Sequence, residues 1–281
     1  MATTYEQFET SPEDGRPIEF YVFKLGSHVE WYYTNADHDL TIDGKLFVAT
    51  TILSTNIQQT GEYVNDALNL DAPSWIAPAQ LFMSSPPTTP ISVRISYKHV
   101  QADELIVGYV GEIRQVDFTR PGRARINCES LMSSMSREGL RLAWQRACPY
   151  ALYDQLTCKV DKALWKIDFL VLRIDGFVID VLLATVKPNG HFDRGFLEWS
   201  HPIRGTEHIS IDIHTELTGG ESNGRFVLSM PPGELFEGAR GSAYPGCNFT
   251  PANCTTLNNF DNYGGVPDMP GKSPFDGDPV F

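Results

Sequence analysis

Five cysteines are the residues of this 281-residue chain best suited to chemistry. Cys128 lies in an alternating apolar and polar run, so we predict that it is a buried free thiol in a strand. The other four form two pairs, with nine residues between Cys148 and Cys158 and six between Cys247 and Cys254. Both pairs lie in turn-rich segments, where unrelated buried thiols are uncommon. We therefore predict that these four thiols share one metal site.

The spacing leaves more than one occupant open. Disulfides are an alternative, but a reducing cytoplasm argues against them. Thiolates select zinc or iron–sulfur clusters, and structural zinc usually takes pairs separated by about two to four residues. A cluster is larger and takes four cysteines that can come from separate loops. The cysteine spacing alone makes zinc and an iron–sulfur cluster nearly equally good interpretations of the site.

Three neighbours of these cysteines suggest further roles. Arg146 and Lys159 are placed to offset the negative charge of a thiolate-bound metal. Gly246 would let backbone N–H groups approach the sulfurs, since contacts beyond the ligands tune such centres. These assignments are hypotheses.

The elements that position the cysteines have the residue pattern of β-strands. Ile18–Phe23, Leu46–Ile52 and Ile91–Tyr97 are rich in branched and aromatic residues, and Asp43-Gly44 is a turn signal. Short strands separated by frequent turns are typical of barrels and sandwiches. We predict a mainly β fold with a β-barrel or sandwich-like N-terminal domain.

The sequence pattern changes from strand-like to turn-like near Arg146. We predict a β-rich domain over residues 1–145, and a C-terminal domain over residues 146–281 that carries the four-cysteine site. The last forty residues, from Gly241 onwards, are dense in glycine, proline, asparagine and aspartate. Such a segment cannot form long regular elements. We therefore expect a loop-rich β domain stapled by the metal site.

Charge and hydropathy exclude several classes of protein. The formal net charge is -13, which disfavours binding to nucleic acid phosphates. No apolar run reaches the roughly 18 residues of a transmembrane helix, and the opening residues do not form a signal peptide. We expect a protein that is made and folded in the cytoplasm.

Catalytic motifs are absent from the sequence: it has no G-x-S-x-G, no H-E-x-x-H and no Walker loop. His208, Asp212 and His214 share one face of a predicted strand, opposite the alternating isoleucines from Ile209 to Ile213. We interpret that face as solvent-exposed rather than metal-binding. Four cysteine ligands would leave no open metal position for a substrate, so we predict that the protein is not an enzyme.

The cysteine segments resemble a known family, the tail hub proteins of siphophages and of the gene transfer agents of α-proteobacteria. The resemblance covers most of the chain and is most specific around the four cysteines. It is carried by Leu142–Cys148, Leu152–Asp154, Cys158–Asp161, Pro245–Cys254 and Asn259–Pro270.

This resemblance implies a protein of the virion tail tip that binds one [4Fe-4S] cluster per subunit. The ligands implied are Cys148, Cys158, Cys247 and Cys254. Members form a ring, expected to be a homotrimer, between the distal tail protein and the central tail hub protein. The minor tail protein L of phage lambda is implied to be a functional relative with a similar cysteine pairing.

The chain departs from the family pattern beside Cys158. Where a Gly-Asp-x-x-Cys-Gly run is expected, this chain has Tyr153-Asp154 and Cys158-Lys159. We therefore expect a different backbone geometry there. The function expected is a structural component of a phage tail tip, and the alternative is a soluble zinc- or iron–sulfur-binding protein with a redox or adaptor role.

Overall fold

A computed structural model describes most of the chain, and its architecture is mainly β, as predicted. The described residues are 17–27, 29–55, 68–99, 104–131, 142–218 and 223–269. The chain divides into two compact units. Unit 1 comprises Met1–Arg137 with His201–Glu207, and unit 2 comprises Glu138–Ser200 with His208–Phe281. Across the described ranges, every helix is too short to cross a membrane.

Unit 1 contains a nine-stranded sheet, in the order β3-β4-β2-β1-β7-β8-β9-β6-β5. Neighbouring strands are antiparallel, except that β2 and β4 run parallel. One short helix, α1, spans Ala77–Gln80. The strands are β1 Ile18–Leu25, β2 Val29–Thr34, β3 Leu40–Ile42, β4 Lys45–Ala49, β5 Leu53–Ser54, β6 Leu68–Pro73, β7 Ile91–Lys98, β8 Ile106–Arg120 and β9 Arg123–Ser130.

Strand β1 is buried on both faces because apolar residues occupy successive positions. Tyr21 and Phe23 belong to the main core of the unit. Phe20 packs with Phe47 in a second, smaller core. The predicted turn at Asp43-Gly44 joins β3 to β4, and both residues have positive φ (50° and 74°), as a tight hairpin turn requires.

Unit 2 contains a closed barrel, in the order β10-β11-β14-β13-β12-β15. The barrel thus lies in the C-terminal half, whereas the sequence suggested a barrel or sandwich for the N-terminal domain. Long-range pairing decides closure, and local alternation carries no information about it. The strands are β10 Ile167–Asp175, β11 Val178–Leu183, β12 Phe196–His201, β13 Gly205–Glu216, β14 Gly224–Leu228 and β15 Arg240–Tyr244.

A bulge in β13 corrects the predicted alternation of that strand. Ile209 and Ile211 are buried as expected, but the register against β14 shifts between Ile211 and Ile213. A bulge adds one residue to a strand and reverses the facing of those that follow. Ile213 is consequently 52% exposed, while His214 is only 2% exposed and lies in the barrel.

The segments that carry the four cysteines are built of turns and very short helices. A 3-10 helix spans Lys162–Trp165, helix α2 spans Pro251–Thr256 and a second 3-10 helix spans Phe260–Asn262. After β15, no regular element in the described chain exceeds six residues. These segments pack on their own small apolar cluster, which includes Val160 and Leu257.

Candidate metal centre

One small cavity in unit 2 is lined by all four predicted ligands: Cys148, Cys158, Cys247 and Cys254. All five cysteines of the chain are free thiols. Cys128 is not among the residues that line the cavity; it lies in β9 and is 1% exposed within the core of unit 1. The structure therefore brings together the four cysteines that the sequence paired, and it places the fifth as the predicted buried thiol.

Cys148 is hydrogen-bonded to the segment that contains Cys247 and Cys254. Its backbone N–H donates to the carbonyl oxygen of Phe249 at 2.9 Å. Tyr263, on the far side of α2, donates its hydroxyl to the carbonyls of Arg146 (2.8 Å) and Phe249 (3.2 Å). Backbone groups from the two cysteine segments are thus joined directly.

Cys158 lies in a tight loop. Asp154 accepts a hydrogen bond from the backbone N–H of Thr157 at 2.8 Å, and its carbonyl accepts from the N–H of Lys159 at 2.7 Å. Tyr153 and Lys159, which are next to Asp154 and Cys158 in the chain, both adopt positive φ (66° and 61°). This is the left-handed region that glycine adopts most easily. The expected difference in backbone geometry from the family pattern stays a prediction.

Cys247 carries a hydrogen bond to its sulfur, because the backbone N–H of Phe249 donates to Sγ at 3.3 Å. Burial raises the pKa of the Cys247 thiol, the Phe249 N–H partly lowers it, and charge on the neighbouring Cys158 and Cys148 raises it further. The role predicted for Gly246 toward the sulfurs stays a prediction. The Gly246 Cα packs so closely against the backbone of Arg194 that a side chain would not fit.

Cys254 lies on α2, whose start is capped. The Thr250 side chain accepts from the N–H of Asn253 at 3.3 Å, and proline follows at the first helical position, both of which favour a helix start. The Cys254 thiol donates to the carbonyl oxygen of Asn259 at 3.1 Å. Burial, followed by charge on the other three cysteines, raises its pKa.

The four side chains form a donor set suited to a soft metal. Thiolates prefer zinc, copper(I) and iron–sulfur clusters, and the raised pKa values mean that metal binding must displace protons here. Among the described residues, no three histidine, cysteine or carboxylate side chains converge on one point closely enough for a single ion. The four thiols line one small cavity.

The two predicted cationic neighbours lie at the surface. Arg146 donates from Nε to the carbonyl oxygen of Met269 at 2.8 Å, and both it and Lys159 are exposed. Their effect on a bound metal stays a prediction.

Tyr153 and Asn259 are site residues that sequence reasoning missed. The Tyr153 hydroxyl donates to the carbonyl oxygen of Pro245 at 2.8 Å, two residues before Cys247. Burial, and then charge on Cys158 and Cys247, raise the pKa of Tyr153. Asn259 donates from its side-chain amide to Cys158. Both residues lie in segments that carry the family resemblance, but no residue spacing in the sequence identifies them as site residues.

The discounted histidine group of β13 does not form a site. His208 contacts Glu198 at the barrel surface, with 2.9 Å between Nε2 and Oε2. Asp212 is exposed. His214 is buried between the rings of Phe192 and Phe226, so only part of the predicted solvent face is exposed.

Sequence comparison connects the C-terminal part of the chain to phage proteins. Residues 190–273 match a family model described as Phage conserved hypothetical protein BR0599, and that stretch includes Cys247 and Cys254. An uncharacterized protein of Xylella fastidiosa (strain 9a5c) is 30% identical over 76 residues, which is 27% of this chain and 16% of that protein. The chain thus matches a small part of that relative's length.

Structural comparison covers nearly the whole chain. A chain in the solved structure of the virion of a native gene transfer agent (GTA) particle matches with a TM-score of 0.73. The match covers 99% of this chain and 96% of that chain, at 16% sequence identity. The two chains therefore share a fold, including both units.

Proposed function

We propose that this chain is a structural component of a phage-type virion, located in the tail tip. The observation that carries the proposal is the agreement in fold, over 99% of the chain, with a chain of a gene transfer agent virion. The phage family model that matches residues 190–273 supports the same class of protein. The tail-tip position rests on the resemblance of the cysteine segments to tail hub proteins. In this role the protein is not an enzyme.

We further propose that Cys148, Cys158, Cys247 and Cys254 hold a [4Fe-4S] cluster. Four sulfurs that line one cavity support a shared group, and the resemblance of the cysteine segments to tail hub proteins favours a cluster over one zinc ion. Zinc would need its four sulfurs roughly 3.8 Å apart, given a Zn–S bond of about 2.3 Å. In a cluster, each sulfur binds a different iron, so the ligands stand further apart.

The role of the bound group would be structural. Cys158 and Cys247 are 89 positions apart, and closing a loop of that size stabilises a fold by roughly 4–5 kcal/mol in the chain-entropy model. The segments concerned offer only short helices and a small apolar cluster. The cluster would fix loops that contact neighbouring tail proteins.

The partners proposed are further copies of this chain, in a homotrimeric ring, together with the distal tail protein and the central tail hub protein. Large exposed apolar side chains support extensive contacts: Trp144, Leu156 and Leu164 are each at least 80% exposed. The location that follows is the virion tail tip, after synthesis in the host cytoplasm.

Anaerobic expression followed by metal analysis tests the cluster. Wild type, Cys247→Ser and the matched control Cys128→Ala should be purified without oxygen and assayed for iron, sulfide and zinc. Brown wild type and control proteins with equal iron and sulfide, and a colourless Cys247→Ser variant, are expected. Stoichiometric zinc in place of iron would favour the alternative, a soluble zinc-binding adaptor. Metal-free wild type would overturn the metal site.

Assembly is tested separately from metal binding. Purified protein should be measured by light scattering, and particles should be labelled with an antibody against this chain and imaged. A trimer in solution and label at one tail end support the proposal. Particles that assemble normally without this chain, or that never carry label, would overturn the virion role.

A further inference from the structure

Asn259 contacts two of the four cysteines at once. Its side-chain Nδ2 donates to the carbonyl oxygen of Cys158 at 2.5 Å and lies 3.7 Å from the Cys158 sulfur. Its backbone carbonyl accepts from the Cys254 thiol at 3.1 Å, and its N–H donates to the carbonyl oxygen of Cys254 at 3.0 Å. The residue is 9% exposed. It therefore connects the two cysteine segments inside the site.

The orientation of the Asn259 amide is set by a neighbour. Asn262 donates from Nδ2 to the Asn259 Oδ1 at 2.8 Å. The oxygen end of the amide is thereby occupied, and the NH₂ end faces Cys158. An asparagine has two donors on that nitrogen, so one can serve the Cys158 carbonyl and the other its sulfur.

We propose that Asn259 is a positioning residue that sets the electron affinity of the group bound by the cysteines. The inference rests on the proposed cluster. An N–H that points at a ligand sulfur stabilises the more negative, reduced state, and hydrogen bonds to sulfur are a main determinant of cluster potential. Asn259 supplies that donor from a buried side chain, where water screens it little.

The direction of the effect follows from this geometry. Asn259→Ser removes the amide donor and should lower the reduction potential. Asn259→Asp keeps the shape but replaces the donor with a negative charge, so it should lower the potential further. Asn258→Gly is the matched control, because it removes the side-chain amide of the preceding residue. Asn258 is exposed and has a φ of 52°, a value that glycine adopts readily.

A redox titration followed by electron paramagnetic resonance provides the test. At the wild-type midpoint, Asn259→Ser should shift the ratio of oxidised to reduced cluster by about tenfold, which is about 59 mV for one electron. Asn258→Gly should stay within about threefold of wild type. Midpoints equal to wild type in both Asn259 variants, at full iron content, would overturn the inference.

Two further measurements cover variants that do not assemble a cluster. In wild-type protein labelled with ¹⁵N in asparagine side chains, pulsed resonance should detect a nitrogen coupled to the reduced cluster, and no coupling would count against the inference. In metal-free protein, Asn259→Ser should decrease alkylation of Cys158 by iodoacetamide severalfold, because the amide donor stabilises negative charge on the sulfur that reacts, and an unchanged rate would count against the inference. Wild type without iron overturns the proposed cluster, and this inference with it, but leaves the virion role to its own test.

Discussion

The N–H of Cys148 and the carbonyl oxygen of Phe249 lie 2.9 Å apart across about a hundred residues of chain. The same carbonyl accepts from the Tyr263 hydroxyl, which also contacts the carbonyl of Arg146. The segments around Cys148 and Cys247 therefore meet at these groups, and Tyr263 bonds to both. This linkage joins the two cysteine segments through backbone hydrogen bonds.

Removing the Tyr263 hydroxyl should weaken this linkage. A hydrogen bond of this kind contributes about 1 kcal/mol, so Tyr263→Phe should lower the free energy of unfolding of metal-free protein by about 1 kcal/mol. Urea denaturation measures the loss. The control is Tyr150→Phe, which removes the hydroxyl of another tyrosine that lines the cavity. Equal stability of wild type and Tyr263→Phe would contradict the role of this hydroxyl.

Lys159→Gly should stabilise the protein. Lys159 is exposed and has a φ of 61°, a conformation that costs an L-residue about 1–2 kcal/mol. Glycine removes that cost but loses about 0.5–1 kcal/mol through chain entropy, so a net gain of about 0.5–1 kcal/mol is expected. Lys159→Ala, which keeps the Cβ, controls for loss of the charged side chain. A destabilised glycine variant, measured by thermal unfolding, would refute the prediction.

Cys128 should resist alkylation in the native protein. Burial raises the pKa of its thiol to about 12, and only the thiolate reacts. At pH 8, mass spectrometry after iodoacetamide treatment should find Cys128 unmodified in native protein and modified in urea. Rapid labelling of native protein would show that this part of the sheet opens easily.

Because folding raises the pKa of Cys128, the free energy of unfolding should decrease at alkaline pH. The stability contributed by the neutral thiol is complete below the unfolded pKa of about 8.5 and is lost as pH rises from there toward 12. Between pH 8.5 and 10, wild type should lose about 2 kcal/mol more than Cys128→Ala. Parallel pH profiles for the two proteins would exclude this coupling.

His214 should make the barrel sensitive to acid. Burial and the neighbouring His191 lower the pKa of His214, while Asp193 raises it. A lowered folded pKa means that stability is complete above the unfolded pKa of about 6.5 and is lost as pH falls below it. His214→Leu should lose less stability than wild type between pH 8 and pH 5 in urea denaturation. His38→Ala, a surface histidine beside Asp37, should behave as wild type; if His214→Leu does too, the prediction fails.

The sequence by itself determined the fold class and grouped four of the five cysteines. Branched and aromatic runs with turn signals are local properties, so they predicted a mainly β chain. Four cysteines in turn-rich segments, separated from Cys128 in a strand pattern, predicted one shared site, and the structure brings those four to one cavity. Residue type and immediate neighbours carry this information, because burial and turn formation depend chiefly on them.

Only the tertiary structure decided which unit closes into a barrel, how β13 faces, and which residues surround the thiols. His214 is buried because a bulge forms against β14, and a bulge depends on the register with a partner strand. Tyr153 and Lys159 adopt the φ values of glycine because surrounding contacts hold the loop. Asn259 reaches Cys158 across 101 positions. Such features arise from long-range packing, which overrides local preference and leaves no periodic trace in the sequence.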